Sequence, residues 1–212
     1  MPKYHDPKYV VSSYFNHLGM LENNSAALYD ALAKKVKVPS VQSLLQKIAS
    51  DGQKHTLLLK GLSEKMMIPH VKSIENETEF GDAFKIIFVV HQDIDRKEML
   101  GAVDLLAVSA KLALLENLID KKYSISRGRI LRAMERAAGE FQSISLDSFN
   151  SFFDRIALDE AQHQKLLAGV EGLIGVPEQV AKAEAEVRVE VNPLPLELPH
   201  EALLLEGYTR KA

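Results

Sequence analysis

Two stretches of the chain repeat one pattern of residues that are able to bind a metal ion. They read IASDGQKHTLLLKGL from residue 48 and IALDEAQHQKLLAGV from residue 156, and isoleucine, alanine, aspartate, histidine, two leucines and glycine coincide. The second stretch contains Glu160 and His163, whereas the first keeps His55 but has Gly52 in place of the glutamate. Mixed carboxylate and imidazole ligands suit iron, manganese or zinc. The pattern therefore indicates metal chemistry, with one copy of the motif incomplete.

A second pair of segments also repeats, one before each histidine motif. LENNSAALY contains Glu22 and Tyr29, and LENLIDKKY contains Glu116 and Tyr123, with the tyrosine seven residues after the glutamate in both. Around an α-helix, residues seven apart differ by about 20° and residues three apart by about 60°. Each glutamate therefore shares a helix face with its tyrosine, and the two side chains of Glu-x-x-His point in similar directions.

These faces coincide with the apolar stripes of the helices that the sequence predicts. Ionised groups directed into a helical core are costly unless they are paired or bind a metal. A dimetal centre is one solution, in which two helices each contribute a glutamate and two others each contribute Glu-x-x-His. The order along this chain follows that arrangement except at Gly52.

Each motif also contains an aspartate, Asp51 in the first copy and Asp159 in the second. Metal-binding histidines usually donate their second ring N–H to a carboxylate, which fixes the tautomer. If the two motif helices run antiparallel, each aspartate reaches the histidine of the opposite helix. We therefore expect Asp51 to contact His163 and Asp159 to contact His55.

Helical periodicity dominates the sequence and predicts an all-α fold of four long helices. The first passes through Tyr14 to Leu32, the second begins near Pro39 or Ser40 and ends before Pro69, the third covers about 96–123, and the last covers about 146–173. Residues 68–81 are expected to connect the second and third helices, with the short apolar segment DAFKIIFVVHQDI after them. This long connection predicts a crossover within an antiparallel four-helix bundle.

Two further boundaries are predicted inside the second half of the chain. SISRGR is expected to end the third helix, and a short helix, RILRAMERAAGEF, is expected to lead to the last one.

The apolar side of the second helix is expected to include the following residues: Val41, Leu44, Leu45, Ile48, His55, Leu58, Leu59 and Leu62.

The sequence after residue 176 differs in character, so we predict a domain over 1–176 and a C-terminal extension over 177–212. VRVEV alternates as in a short strand, and the prolines of NPLPLELPH favour an extended arm. The leucines of this arm need to be buried against the domain or against a partner subunit. We expect a homodimer in which the arm wraps the partner.

The composition excludes several classes of site. The chain has no cysteine, so any metal must be held by carboxylates and imidazoles. Its net charge of −3 favours neither nucleic acid nor an anionic membrane as a partner. Its apolar runs are too short or too interrupted to span a bilayer. We expect a cytoplasmic protein without nucleic-acid or membrane partners.

With these motifs the chain resembles the ferritin-like superfamily over about residues 10–175, in particular the rubrerythrin-like and bacterioferritin-like carboxylate-bridged di-iron proteins. The resemblance implies a ferritin-like bundle with one or two iron ions per chain, Mn or Zn being alternatives. It implies five metal ligands: Glu22, His55, Glu116, Glu160 and His163. No ligand role carries over to Gly52, and a rubredoxin-type domain is not expected, because the sequence has no cysteine.

Gly52 leaves two interpretations open. An interior helical glycine costs about 1 kcal/mol relative to alanine, and on an inward stripe it is expected to leave a gap. Metal function has either been lost, with a neighbouring side chain filling the gap, or one carboxylate is missing from an asymmetric site with an open coordination position near His55. In the second case Glu116, Glu160 and His163 bind one ion well, and the other half-site is weaker.

Three functions are compatible with the sequence. The first is a non-haem iron oxidoreductase or ferroxidase that acts on O2 or peroxide. The second is a metal-binding or storage protein without turnover, and the third is a metal-free bundle that acts through protein contacts. Tyr29 and Tyr123 are candidate catalytic residues beside the site, although core aromatics with a hydrogen-bonded hydroxyl are more common. The resemblance does not select among these functions.

Overall fold

A computed structural model of the chain describes residues 6–65, 77–137, 139, 141 and 145–174. The helices in this part are α1 (Pro7–Lys35), α2 (Pro39–Lys65), α3 (Glu77–Asp95), α4 (Ala102–Arg136), α5 (Leu146–Ala168) and α6 (Val170–Ile174). Regular secondary structure in these ranges is entirely helical, which confirms the all-α class. The C-terminal arm, the strand within it, the domain boundary and the arm-mediated homodimer lie outside the described residues.

Helix starts follow local capping chemistry. Asp6 accepts a hydrogen bond from the Lys8 amide (2.9 Å), and Pro7 occupies the first helical turn of α1. Ser145 accepts from the Ser148 amide (3.1 Å) at the start of α5. The second helix begins at Pro39, which is one of the two predicted starts. These caps fix where the long helices begin.

Helix α1 lies at the centre of the packing, against α2, α3 and α4, and α4 packs in turn against α5. A loop of only residues 36–38 joins α1 to α2, so these two helices run antiparallel. The side of α1 that faces the other helices is buried and contains the following residues at helical spacing: Tyr14, Leu18, Leu21, Ser25, Leu28 and Leu32. No helix in the described ranges is long and apolar enough to cross a membrane.

The region between the second and third long helices differs from the prediction. The apolar segment belongs to a full helix, α3, which begins within the predicted connection at Glu77. Phe80, Val90 and Ile94 are completely buried, because α3 packs its apolar side on α1 and α4. The next helix starts at Ala102 instead of near residue 96.

The predicted break at SISRGR is wrong, because α4 continues through it to Arg136. Tyr123, Ser126 and Ile130 are buried at helical spacing on both sides of the glycine. Arg127 donates a hydrogen bond to Asn150 of α5 (2.8 Å). Packing against α5 thus outweighs the weak helix preference of serine and glycine.

Two smaller differences concern α5 and α2. The last predicted helix is divided at Gly169, whose amide donates to the carbonyls of Leu166 and Lys165, and α6 follows. Leu58, predicted to face inward, is 50% exposed. The buried side of α5 contains Phe149, Phe153, Ile156, Glu160, His163 and Leu167.

Candidate metal centre

The five ligand candidates predicted from the sequence converge from four helices. Glu22 lies on α1, His55 on α2, Glu116 on α4, and Glu160 and His163 on α5. Each of these residues is at most 2% exposed. Residues far apart in sequence are therefore concentrated in one buried polar cluster, which we call the carboxylate–histidine centre.

The centre consists of two groups of three ligand-type atoms that share Glu160. One group contains Glu22, His55 and Glu160, the other contains Glu116, Glu160 and His163, and the ligand atoms within each group lie within 4.8 Å of one another. Glu160 Oε1 lies 3.6 Å from His55 Nδ1, and Glu160 Oε2 lies 3.8 Å from His163 Nδ1. The carboxylate of Glu160 thus lies between the two imidazoles.

The other two glutamates are each held by a histidine and a tyrosine. Glu22 Oε1 accepts hydrogen bonds from His55 Nδ1 (3.2 Å) and from the hydroxyl of Tyr123 (2.6 Å). Glu116 accepts a hydrogen bond from His163 Nδ1 (3.0 Å) through Oε2 and one from the hydroxyl of Tyr29 through Oε1. Both carboxylates therefore have hydrogen-bond partners inside the protein.

The two tyrosines cross between α1 and α4. Tyr29 of α1 donates to Glu116 of α4 (2.5 Å), whereas Tyr123 of α4 donates to Glu22 of α1. Each tyrosine follows a glutamate on its own helix, so this exchange requires α1 and α4 to run antiparallel. Burial, followed by the neighbouring carboxylates, raises the pKa of both hydroxyls well above the ordinary tyrosine value. Both hydroxyls therefore remain protonated donors near neutral pH.

The expected contacts between aspartates and histidines are both present. His163 Nε2 lies 3.4 Å from Asp51 Oδ2, and His55 Nε2 lies 3.3 Å from Asp159 Oδ2. The exchange shows that α2 and α5 also run antiparallel. Each imidazole therefore directs Nδ1 towards the glutamates and Nε2 towards an aspartate.

Carboxylates on both sides change the protonation of the two imidazoles. Burial alone lowers the pKa of His55, but the hydrogen bonds and negative charges of Glu22 and Asp159 raise it above the ordinary histidine value. The pKa of His163 is raised in the same way by Glu116 and Asp51. The carboxylates thus favour the protonated, positively charged form of both imidazoles in the metal-free protein.

Two lysines that sequence analysis did not assign to the site anchor Asp51. Lys47 Nζ lies 2.7 Å from Asp51 Oδ2, and Lys54 Nζ lies 2.8 Å from Oδ1. Although burial opposes ionisation, these lysines and His163 hold the pKa of Asp51 well below its ordinary value. The spacing of the lysines, four residues before and three after the aspartate, is the sequence signal that could have identified them.

Glu160 is the least compensated group of the centre. Its Oε2 is buried and has no hydrogen-bond partner among the described residues. Burial, and then the charges of Glu116 and Glu22, raise the pKa of Glu160 well above the ordinary carboxyl value. Asp120 contributes to the same effect; it lies one helical turn after Glu116, a spacing from which the sequence could have identified it.

Neighbouring side chains occupy the space beside Gly52, as the first of the two interpretations expected. A Cβ atom at this position would lie 3.2 Å from Glu22 Oε2, 3.3 Å from Ala26 Cβ and 3.4 Å from the carbonyl oxygen of Glu22. Glycine at position 52 therefore allows α1 to approach α2 closely, and the carboxylate of Glu22 lies against the position that a Cβ atom of residue 52 would occupy. An open coordination position on a metal near His55 stays a prediction.

Comparisons of the chain with protein-family models, with curated proteins and with solved structures found no match.

Proposed function

We propose that this chain is a metal-binding protein of the ferritin-like type, in which α1, α2, α4 and α5 form the four-helix bundle and α3 belongs to the crossover. The proposed ligands are the five predicted ones: Glu22, His55, Glu116, Glu160 and His163. The pseudo-twofold exchange of contacts between α1 and α4, and between α2 and α5, supports this arrangement.

The observation that carries the proposal is the buried carboxylate of Glu160. One of its oxygens has no hydrogen-bond partner among the described residues, and it lies between two other buried glutamates and two imidazoles. A buried carboxyl oxygen without a hydrogen bond is costly, and a bound cation is the compensation that such a donor set can accept. The donors fit iron, manganese or zinc because they are oxygen and nitrogen atoms without thiolate.

The surrounding residues orient these donors. Asp51 and Asp159 bind the Nε2 protons of the histidines, so Nδ1 is the ring nitrogen that is left for a cation. The hydroxyls of Tyr29 and Tyr123 each bind one carboxylate and limit its rotation. Holding a cation requires both Nδ1 atoms and Glu160 to release their protons, because ligands bind in the deprotonated form.

Iron held by such donors supplies electron transfer to O2 or peroxide, so oxidoreductase or ferroxidase activity is the proposed reaction class. Storage of the metal without turnover uses the same residues. Glu160 belongs to both ligand groups, and we propose that the group with Glu116 and His163 binds the first ion more tightly, because its histidine belongs to the complete copy of the Glu-x-x-His motif.

A metal-free bundle is the competing function, and one observation favours it. Glu22 and Glu116 already accept hydrogen bonds from histidine and tyrosine, so two of the three glutamates need no cation. Glu160 is the residue that separates the two functions, because among these three glutamates it is the one with a buried oxygen that has no hydrogen-bond partner in the described part of the chain.

Anaerobic titration with ferrous iron, followed by metal analysis, tests the proposal. The wild-type protein is expected to retain one or two ions per chain, and Glu160→Gln is expected to lose most of this binding. Glu64→Gln, on the exposed side of α2, is the matched control and is expected to bind like the wild type. Negligible retention of Fe, Mn and Zn by the wild type would exclude both metal functions. Consumption of O2 or peroxide by the loaded protein separates turnover from storage.

A further inference from the structure

Three leucines on neighbouring helices are exposed beside the carboxylate–histidine centre. Leu57 and Leu58 of α2 are 69% and 50% exposed, and Leu158 of α5 is 61% exposed. Leu57 and Leu58 follow His55 by two and three residues, and Leu158 directly precedes Asp159. Because His55 contacts Asp159, all three leucines lie at the same level along the two antiparallel helices. Single exposed leucines are ordinary on a protein surface, whereas a contiguous apolar patch is typical of an interaction site.

Two cations border these leucines. Lys54 Nζ lies 2.8 Å from Asp51 Oδ1, and Arg155 Nε lies 3.6 Å from Asp159 Oδ2. The side chains of the lysine and the arginine are 64% and 70% exposed, whereas those of the two aspartates are 9% and 18% exposed. This surface therefore presents mainly positive charge to the solvent. We call it the leucine face, and it consists of Lys54, Leu57, Leu58, Arg155 and Leu158.

A segment in the last part of the chain has the complementary composition. Residues 190–206 read EVNPLPLELPHEALLLE, with six leucines, four glutamates and no lysine or arginine. Burial of its leucines against other apolar side chains is favourable. Its glutamates suit a surface that carries a lysine and an arginine, because complementary charges favour specific association. The segment therefore matches the leucine face in both apolar content and charge.

We propose that the leucine face binds residues 190–206 of a second copy of this chain. Direct contact between two leucine faces would bring their cations together, whereas face and segment carry opposite charges. Each copy contains one face and one segment, so a twofold dimer contains the same contact twice. Residues 175–189, which precede the segment, can span up to about 50 Å. This reach exceeds the length of α2, whose 27 residues extend for about 40 Å, so the segment can reach a neighbouring bundle.

Paramagnetic labelling of the full chain without metal tests the contact. The chain has no cysteine, so Ala202→Cys provides a single attachment point for a nitroxide and keeps every leucine and glutamate of the segment. Spin-labelled chains are refolded together with methyl-labelled wild-type chains, so that only contacts between copies broaden the methyl signals. The signals of Leu57, Leu58 and Leu158 are expected to broaden, whereas that of Leu114, which is 51% exposed on α4, stays sharp. Sharp signals from the leucine face, or equal broadening at Leu114, would overturn the proposal.

A second sample separates a contact between copies from a contact within one chain. The spin label and the isotopes are placed on the same chain, which is refolded with an excess of unlabelled wild-type chains. Contacts between copies are then silent, and the methyl signals of the leucine face are expected to stay sharp. Broadening of these signals would assign the face to the chain's own segment and would overturn the exchange between copies.

A matched pair of variants tests the leucine face through the dimer itself. Leu158→Asp removes an apolar side chain from the face and adds a negative charge that repels the glutamates of the segment, whereas Leu114→Asp makes the same change elsewhere on the surface. In sedimentation equilibrium, the dissociation constant of the dimer is expected to be at least about tenfold higher for Leu158→Asp than for Leu114→Asp. Equal constants for the two variants, or a monomeric wild type, would contradict the proposal. The metal-free protein is used throughout, so the outcome does not depend on metal binding.

Discussion

His163 Nε2 lies 3.4 Å from Asp51 Oδ2, although the two residues are 112 positions apart in the chain. The aspartate belongs to the incomplete motif on α2 and the histidine to the complete motif on α5. Two lysines hold Asp51 in its ionised form, so the contact joins a fixed negative charge to the imidazole. The incomplete motif therefore still positions a ligand candidate of the complete one.

Removal of the charge of Asp51 is expected to weaken metal binding. We predict that Asp51→Asn lowers the affinity for ferrous iron by about 10–100-fold, because the carboxylate that orients His163 is lost. Competition with a chelator of known affinity measures the change. Asp30→Asn, at an exposed ion pair with Lys34, is the control. Equal affinities of the two variants would argue against the orienting role.

Two glycines of α2 are expected to respond differently to alanine. A Cβ atom added at Gly61 would meet no neighbouring group within 4 Å, so Gly61→Ala is expected to raise the free energy of unfolding by about 1 kcal/mol through helix propensity. At Gly52 the new Cβ meets Glu22 and Ala26, and we expect Gly52→Ala to gain less or to lose stability. Denaturant unfolding measures both changes. Equal stabilisation would show that α1 does not restrict position 52.

The pKa of Glu160 predicts a pH-dependent stability of the metal-free protein. Its folded pKa is raised, so its favourable contribution is complete below the unfolded pKa of about 4.3 and is lost as pH rises towards the folded pKa. Glu160→Gln does not ionise, and its stability relative to the wild type is therefore expected to increase with pH. Urea unfolding at several pH values above 4.3 measures this difference. A difference that stays constant would contradict the raised pKa.

The two histidines His55 and His163 change the stability of the metal-free protein in the same direction, but over a higher pH range. Their raised pKa values mean that their contribution is complete below about pH 6.5 and declines as pH rises through the folded values. Metal affinity is expected to follow the opposite course and to increase with pH, because His55, His163 and Glu160 bind a cation only when deprotonated. Isothermal titration in buffers of different ionisation enthalpy measures the protons released. Binding without proton release would contradict this assignment.

Loss of a tyrosine hydroxyl is expected to lower the free energy of unfolding most in the metal-free protein. Tyr29→Phe removes a hydrogen bond to the buried carboxylate of Glu116, and a bond to a charged group is worth about 1.5–3 kcal/mol. We expect a loss of this order in the metal-free protein and a smaller loss after iron loading. Ser126→Ala is the control, since the buried Ser126 hydroxyl has no hydrogen-bond partner among the described residues. A loss for Tyr29→Phe no larger than the control's would refute the prediction.

The sequence predicted the members of the centre because they repeat at helical spacing. Glu22 and Tyr29 share a face, as do Glu116 and Tyr123, and the antiparallel pairing of the motifs led to the aspartate–histidine contacts. These features depend on periodicity within a helix and on the relation between the two halves of the chain. Both are contained in the sequence itself.

The features that the sequence did not predict depend on packing between helices. The break expected at SISRGR is absent because Ser126 and Ile130 are buried and Arg127 binds α5. The packing of Ala26 against Gly52 depends on the distance between α1 and α2, which no local pattern contains. The leucine face likewise exists only once α2 and α5 lie side by side.

Anomalous diffraction from crystals loaded anaerobically with ferrous iron tests the central claim most directly. The claim predicts an anomalous peak at the iron edge beside Glu160, within coordination distance of Nδ1 of His163, with a second and weaker peak permitted near Nδ1 of His55. The absence of any peak there, with the hydrogen bonds of His163 to Glu116 and of His55 to Glu22 retained, would contradict the claim that this centre binds metal.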